Sequence, residues 1–117
     1  MLVIADTTPL RYLVVLRQIH LLPTLFGQVI IPPAVVGELR HPKAPAGVRA
    51  WMNSPPAWLE VRPSSLRPDA VLLRLDAGER EAILLAQGLH ADLLLVDEQE
   101  ARQEAARAHG HGHVACL

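Results

Sequence analysis

The chain has 117 residues, half of them hydrophobic, and a formal net charge of −1 from 11 Lys and Arg and 12 Asp and Glu residues. This length allows one domain, residues 1–117, and no apolar run reaches the ~18 residues that a membrane span needs. Cys116 is the only cysteine, which excludes an internal disulfide, and Met1–Asp6 lacks the basic stretch of a signal peptide, so we expect a cytoplasmic protein.

The first half of the chain predicts two strands, each followed by helix. A continuous apolar run suits a strand that is covered on both faces of a sheet. A hydroxyl residue before proline suits a helix start, with Thr8 as N-cap and Pro9 at the first helical position. In chain order we expect a strand at Leu2–Ala5, a helix from Thr8, a helical turn at Leu21–Phe26, a strand at Gln28–Ile31 and a helix from Pro32–Pro33 through Leu39.

The second half begins with a proline-rich, irregular segment over residues 42–68, of the kind that often borders a site. Asp76 and Glu79 then have the spacing of a capping box. We expect a short helix at Val48–Met52, a minor strand at Trp58–Val61, a helix from Asp76 through Leu89, a strand at Leu93–Val96, a helix at Glu98–Ala108 and a last strand at His113–Cys116. This alternation predicts a three-layer α/β/α sandwich with a mostly parallel central sheet.

Four acids occupy positions that such a sheet brings to one edge. Asp6 and Asp97 directly follow strands, Glu38 lies in the helix after the second strand, and Glu81 lies near the start of the helix that Asp76 caps. Strand carboxyl ends and the following helix N-termini share the edge where ligands bind. Because clustered carboxylates repel, we predict that they hold a divalent cation, and hard oxygen ligands favour Mg²⁺ or Mn²⁺ over zinc. Two such ions can bind and cleave a phosphodiester.

Each acid also has a structural interpretation. Glu79 and Glu81 lie ~160° apart around their helix, so only one readily faces a given site. The capping-box spacing gives Glu79 a structural task, which makes Glu81 the predicted ligand. Asp6 is alternatively a turn residue, Glu38 a solvated helix residue, and Asp97 the N-cap of the next helix, a role that is compatible with metal binding.

Four segments together resemble the PIN domain, and most closely its short prokaryotic toxin-like group. The segments are Ala5–Leu10, Ile31–Leu39, Gly78–Ile83 and Ala91–Asp97. The resemblance extends from Leu2 to Ala108. It implies a Rossmann-like α/β/α fold and the activity of a Mg²⁺-dependent endoribonuclease that acts on RNA as the toxin of a toxin–antitoxin pair, with a small cognate antitoxin as partner.

The same resemblance assigns residues to the reaction. It implies that Asp6, Glu38, Glu81 and Asp97 are the acidic quartet of the family and that Thr8 supplies the hydroxyl near the first metal. Family members usually continue with further helix after the last strand, whereas this sequence stops at Leu117. We therefore expect a truncated C-terminus with an apolar edge strand, and a homodimer or a bound antitoxin that covers it.

Two other interpretations remain. The first is a non-catalytic or degenerate PIN-fold module that binds nucleic acid or an antitoxin. The second is a receiver-like phospho-acceptor domain, which also gathers acids at strand ends. The receiver-like interpretation needs a lysine after a late strand, and the only lysine, Lys43, lies in the proline-rich segment.

Overall fold

A computed structural model describes residues 1–97, 99–100 and 113–116 of the chain. Its centre is a sheet of five strands, namely β1 (Val3–Ala5), β2 (Val29–Ile31), β3 (Leu59–Val61), β4 (Leu93–Val96) and β5 (His113–Cys116). The strand order is β3-β2-β1-β4-β5, and every pairing is parallel. Ala5 pairs with Leu95 and Leu95 with Ala115, so β1 lies at the centre and β5 at one edge. The edge position expected for the last strand is thus confirmed.

Within the described residues, helices fill the connections between the strands. They are α1 (Thr7–Val15), α2 (Leu21–Phe26), α3 (Pro33–Leu39), α4 (Ala46–Asn53) and α5 (Ala77–Leu89), together with a 3-10 turn at Leu72–Arg74. None of the helices in this part of the chain has the length and apolar character to cross a bilayer. Gln99 and Glu100 are helical, and the rest of the helix predicted to Ala108 lies outside the described residues.

Two hydrophobic cores lie on opposite faces of the sheet, because successive strand residues point to opposite faces. Val3 and Ala5 of β1 belong to the core that packs against α1 to α4. Ile4 belongs to the core formed with α5 and the 3-10 turn. The expected three-layer α/β/α sandwich with a parallel sheet is therefore confirmed.

The start of α1 differs from the prediction. Asp6, and not Thr8, is the N-cap, so that Thr7 is the first helical residue and Pro9 the third. The first N–H groups of a helix have no intrahelical partner, so a proline that lacks this group is tolerated at the third position as well as at the first. The short 3-10 turn at Leu72–Arg74 was not predicted.

Candidate active site

The sheet reverses its strand order at β1, and two of the predicted acids lie there. Since β1 has β2 on one side and β4 on the other, the connections diverge and leave a crevice at the strand carboxyl ends. Asp6 follows β1 and Asp97 follows β4. The backbone N–H of Asp6 donates to the Leu95 carbonyl oxygen at 3.0 Å. Strand register thus brings both acids to one edge of the sheet.

Asp6 is buried, with 3% of its surface exposed, and its side chain caps nothing. An N-cap aspartate ordinarily accepts the N–H of the second or third helical residue. The third residue here is Pro9, which has no N–H to donate. Asp6 Oδ1 is buried with no hydrogen-bond partner among the described residues. A buried polar atom in this condition is costly, and a bound cation would satisfy it.

Asp97 caps the next helical segment and thereby positions a further acid. Its Oδ1 accepts the backbone N–H of Glu100 at 2.7 Å, which confirms the capping role considered from the sequence. Glu100 is only 8% exposed, and its carboxyl group forms a side-chain hydrogen bond with Asp6. Its Oε2, like Asp6 Oδ1, is buried with no hydrogen-bond partner in the described part of the chain. Glu100 was missed from the sequence.

The carboxyl groups of Asp6 and Glu100 share a buried environment that favours their protonated forms. Burial raises the pKa of Asp6, and the negative charges of Asp76 and Asp97 add to this, although the hydrogen bond with Glu100 opposes it. Burial also raises the pKa of Glu100 to about 10, and the contacts with Asp6 and Asp97 and the charge of Glu79 add to the effect. In the absence of a cation the pair therefore retains a proton at neutral pH.

Glu79 faces this cluster, and Glu81 does not. Glu79 is 6% exposed, and its charge contributes to the raised pKa of Glu100. Its backbone N–H donates to Asp76 Oδ1 at 2.9 Å, so the predicted cap is present. Glu81 Oε1 instead accepts the backbone N–H of Ala34 at 3.2 Å, at the start of α3. Glu79, rather than the expected Glu81, is therefore the α5 acid that lies beside Glu100, and the predicted role of Glu81 as a metal ligand stays a prediction.

Glu38 is held between two helix starts. Its Oε1 accepts the Thr7 hydroxyl at 2.7 Å, and its Oε2 accepts the Gly78 backbone N–H at 2.7 Å. Burial raises the pKa of Glu38, and these two hydrogen bonds lower it. A Cβ on residue 78 would lie 2.7 Å from the Glu38 carboxyl carbon, so any larger residue there would displace the carboxylate. Thr7 is therefore a hydroxyl that contacts a site acid in the structure. The role expected of Thr8 near the first metal stays a prediction.

The donor set fits a hard divalent cation by its chemistry. Asp6, Asp97, Glu79 and Glu100 offer carboxylate oxygens from three helix starts. Asp6 Oδ1 and Glu100 Oε2 are buried without a hydrogen-bond partner among the described residues. No group of three or more His, Cys, Asp or Glu side chains within the described ranges is already arranged to hold an ion. The acids thus converge in a proton-sharing arrangement, and side-chain rotation would be needed to form a coordination shell.

Comparison with known families agrees with this architecture. A family model described as the PIN domain matches residues 2–111, which is most of the chain. No curated protein and no solved structure matches the chain. The match spans β1 to β4 and all the acids of the cluster.

Proposed function

This chain belongs to the PIN-domain family, whose members are typically nucleases, and we propose that it is a Mg²⁺-dependent endoribonuclease. The observation that supports this most is a pair of buried oxygens, one of Asp6 and one of Glu100, that lie at the strand-order reversal and have no hydrogen-bond partner among the described residues. Carboxylates are rarely buried together unless they are paired or hold a metal. Hard oxygen donors suit Mg²⁺ or Mn²⁺, the ions that serve phosphodiester hydrolysis.

The roles of the side chains follow from their positions. Asp6, Asp97, Glu79 and Glu100 would hold the cation, and Glu100 would release its buried proton when the ion binds. Held by these residues, such an ion would supply positive charge beside the scissile phosphate and would lower the pKa of the attacking water. The participation of two ions, as expected from the sequence, stays a prediction.

Glu38 differs from the other four acids because both of its oxygens already accept hydrogen bonds from the protein. Thr7 and Gly78 fix the carboxylate, and each oxygen retains a second lone pair. We assign Glu38 the task of orienting the attacking water. Fixed orientation of a reacting group lowers the barrier without requiring a covalent intermediate.

The narrower assignments rest on the sequence resemblance. We propose that the chain is the toxin of a toxin–antitoxin pair, that RNA is its substrate and that a small antitoxin is its partner. β5 lies at the edge of the described sheet and could pair with a second copy in a homodimer or with an antitoxin segment.

The experiment that tests the metal site compares two acids of the same helix. Mn²⁺ binding would be measured by calorimetry, and cleavage of a single-stranded RNA would be measured with Mg²⁺ and with EDTA. Glu79→Gln should weaken Mn²⁺ binding about tenfold or more, which corresponds to ~1.4 kcal/mol. Glu81→Gln is the matched control and should bind as the wild type does, because glutamine still accepts the Ala34 N–H.

The two readouts separate the possible failures. Affinity losses in the reverse order would restore Glu81 as the ligand and remove Glu79. Wild-type protein that binds Mn²⁺ but cleaves no RNA would favour the non-catalytic binding module. Cleavage that persists in EDTA would contradict metal dependence.

A further inference from the structure

An open groove of about 210 Å³ adjoins the acidic cluster on the side of α1 and α3. It is lined by Arg11, Glu38, His41, Lys43 and Ala44, and we call it the Arg11 groove. Glu38 belongs both to this groove and to the candidate active site. A ligand in the groove would therefore lie directly beside the position where the reaction is proposed to take place.

The lining of the groove carries more positive than negative charge. Arg11 and Lys43 are both exposed, and no ion pair engages either of them in this part of the chain. Glu38, the one acid of the lining, directs its oxygens to Thr7 and Gly78. The cations are thus available to an anion from solution, although the net charge of the whole chain is −1.

His41 adds an oriented hydrogen-bond donor. The backbone N–H of Lys43 donates to His41 Nδ1 at 3.0 Å, so Nδ1 serves as the acceptor. In a neutral imidazole the remaining nitrogen then carries the proton, and Nε2–H is available to a ligand oxygen. The short turn after α3 therefore presents a donor and a cation from two nearby residues.

The charge of the lining identifies the ligand class. Two cations and one carboxylate give about one net positive charge, which matches the single negative charge of an internal phosphodiester. A terminal phosphate carries about −1.5 to −2 and is matched less well. Arginine and a positioned N–H donor are typical ligands of phosphate oxygens. From these observations we propose that the Arg11 groove binds an internal phosphate of the RNA strand, adjacent to the phosphate that is cleaved.

This inference deepens the proposed function, on which the choice of RNA as ligand rests, and its test does not require cleavage. Every variant would be made in the full-length Asp6→Asn chain and measured in EDTA, with a fluorescent single-stranded RNA at several salt concentrations. Arg11→Gln/Lys43→Gln should weaken binding and reduce the magnitude of the log Kd against log salt slope by about 0.7, the value for one lost phosphate contact on a single strand.

Two controls accompany the double variant. Arg74→Gln removes an exposed arginine of the 3-10 turn, on the opposite face of the sheet, and should leave affinity and slope unchanged. Lys43→Arg keeps the charge and should keep the slope. The same RNA with and without a 5′-phosphate should bind equally, because the proposed ligand is internal.

The outcomes distinguish the groove from the catalytic proposal. The proposal that the Arg11 groove binds a phosphate would be overturned if the protein bound no RNA. It would also be overturned if the double variant bound RNA as tightly, and with the same salt dependence, as the parent chain. Binding that depends on the 5′-phosphate would overturn the internal assignment. If the groove variants behave as expected while wild-type protein with Mg²⁺ fails to cleave RNA, the proposed hydrolysis fails and the phosphate site stands.

Discussion

Helices α1 and α5 each begin after an aspartate with extended backbone, and only one of the two aspartates caps its helix. Asp76 has φ −65° and ψ 163°, and its Oδ1 accepts the N–H of the third helical residue, Glu79. Asp6 has φ −88° and ψ 176°, and its side chain makes no capping hydrogen bond. Asp76 is exposed to solvent, whereas Asp6 is 3% exposed.

The difference lies in the residue three positions on, which is Glu79 in α5 and Pro9 in α1. Proline cannot donate, so the Asp6 carboxylate has no N–H at the place where its counterpart finds one. Burial then removes water as an alternative partner. The comparison teaches that an N-cap position yields a ligand oxygen when the helix start lacks the matching donor, and a structural cap when the donor is present.

The largest expected effect comes from the same substitution at both aspartates. Asp6→Asn should lower RNA cleavage by about 100-fold or more, because several kcal/mol of transition-state stabilisation depend on the cation and each ~1.4 kcal/mol is tenfold in rate. Its melting temperature in EDTA should be equal to or above that of the wild type, because no cap is lost and like-charge crowding is relieved. Cleavage assays and thermal denaturation measure both quantities.

Asp76→Asn is the matched control, and it should leave the melting temperature unchanged, because asparagine caps a helix as well as aspartate does. It also removes a charge that raises the pKa of Asp6 and of Glu38, so cleavage should change, but only within a few-fold. Asp76→Ala should reduce the free energy of unfolding by about 0.5–2 kcal/mol through the lost cap while preserving cleavage within a few-fold. Undiminished cleavage by folded Asp6→Asn protein would show that the two aspartates do not differ in function.

The sequence predicted the elements well because their signals are local. The Asp76 to Glu79 spacing located the start of α5, and β4 was expected over the same residues that form it. The choice between Glu79 and Glu81 depended on which face of α5 turns towards the strand ends. Packing against β1 and β4 decides that face, and no local pattern encodes it.

Glu100 was missed although a signal existed. Asp97 and Glu100 have the same spacing as Asp76 and Glu79, and in both pairs the aspartate accepts the N–H of a buried glutamate. At both helix starts, the glutamate at the third helical position is therefore buried. Applied to both segments, the capping-box spacing would have identified Glu79 and Glu100 together.

A pH titration tests the proton that Asp6 shares with Glu100. The folded-state pKa of Glu100 is raised from 4.5 to about 10, so the folded protein binds more protons than the unfolded chain in that window. The resulting stabilisation is complete below the unfolded pKa and is lost as the pH rises towards the folded pKa. Metal-free protein should therefore melt at a lower temperature at pH 8 than at pH 6. The contribution of this one proton to the free energy of unfolding should fall by at most about 1.4 kcal/mol per pH unit.

The variant that isolates this effect is Glu100→Gln, which should make the melting temperature less dependent on pH. Glu60→Gln on β3, away from the cluster, is the control and should keep the wild-type slope. Saturating Mg²⁺ should stabilise the wild type more at pH 8 than at pH 6, because the ion competes with the proton. A wild-type melting temperature that rises between pH 6 and pH 8 in EDTA would contradict the shared proton.

The smallest expected effect concerns the second donor at the start of α5, the Gly78 N–H, which serves Glu38 rather than the cap. Gly78→Ala would place a Cβ 2.7 Å from the Glu38 carboxyl carbon, forcing the carboxylate away from Gly78 and Thr7. We expect a loss of about 1–3 kcal/mol in the free energy of unfolding, typical of overpacking, together with slower cleavage.

Gly37→Ala in α3 is the control, since nothing lies within 4 Å of its Cβ. Alanine is the better helix former there by about 0.5–1 kcal/mol, so this variant should be slightly more stable than the wild type. Urea denaturation separates the two variants, and equal stabilities would mean that the Glu38 carboxylate shifts without cost and is not fixed by the two helix starts.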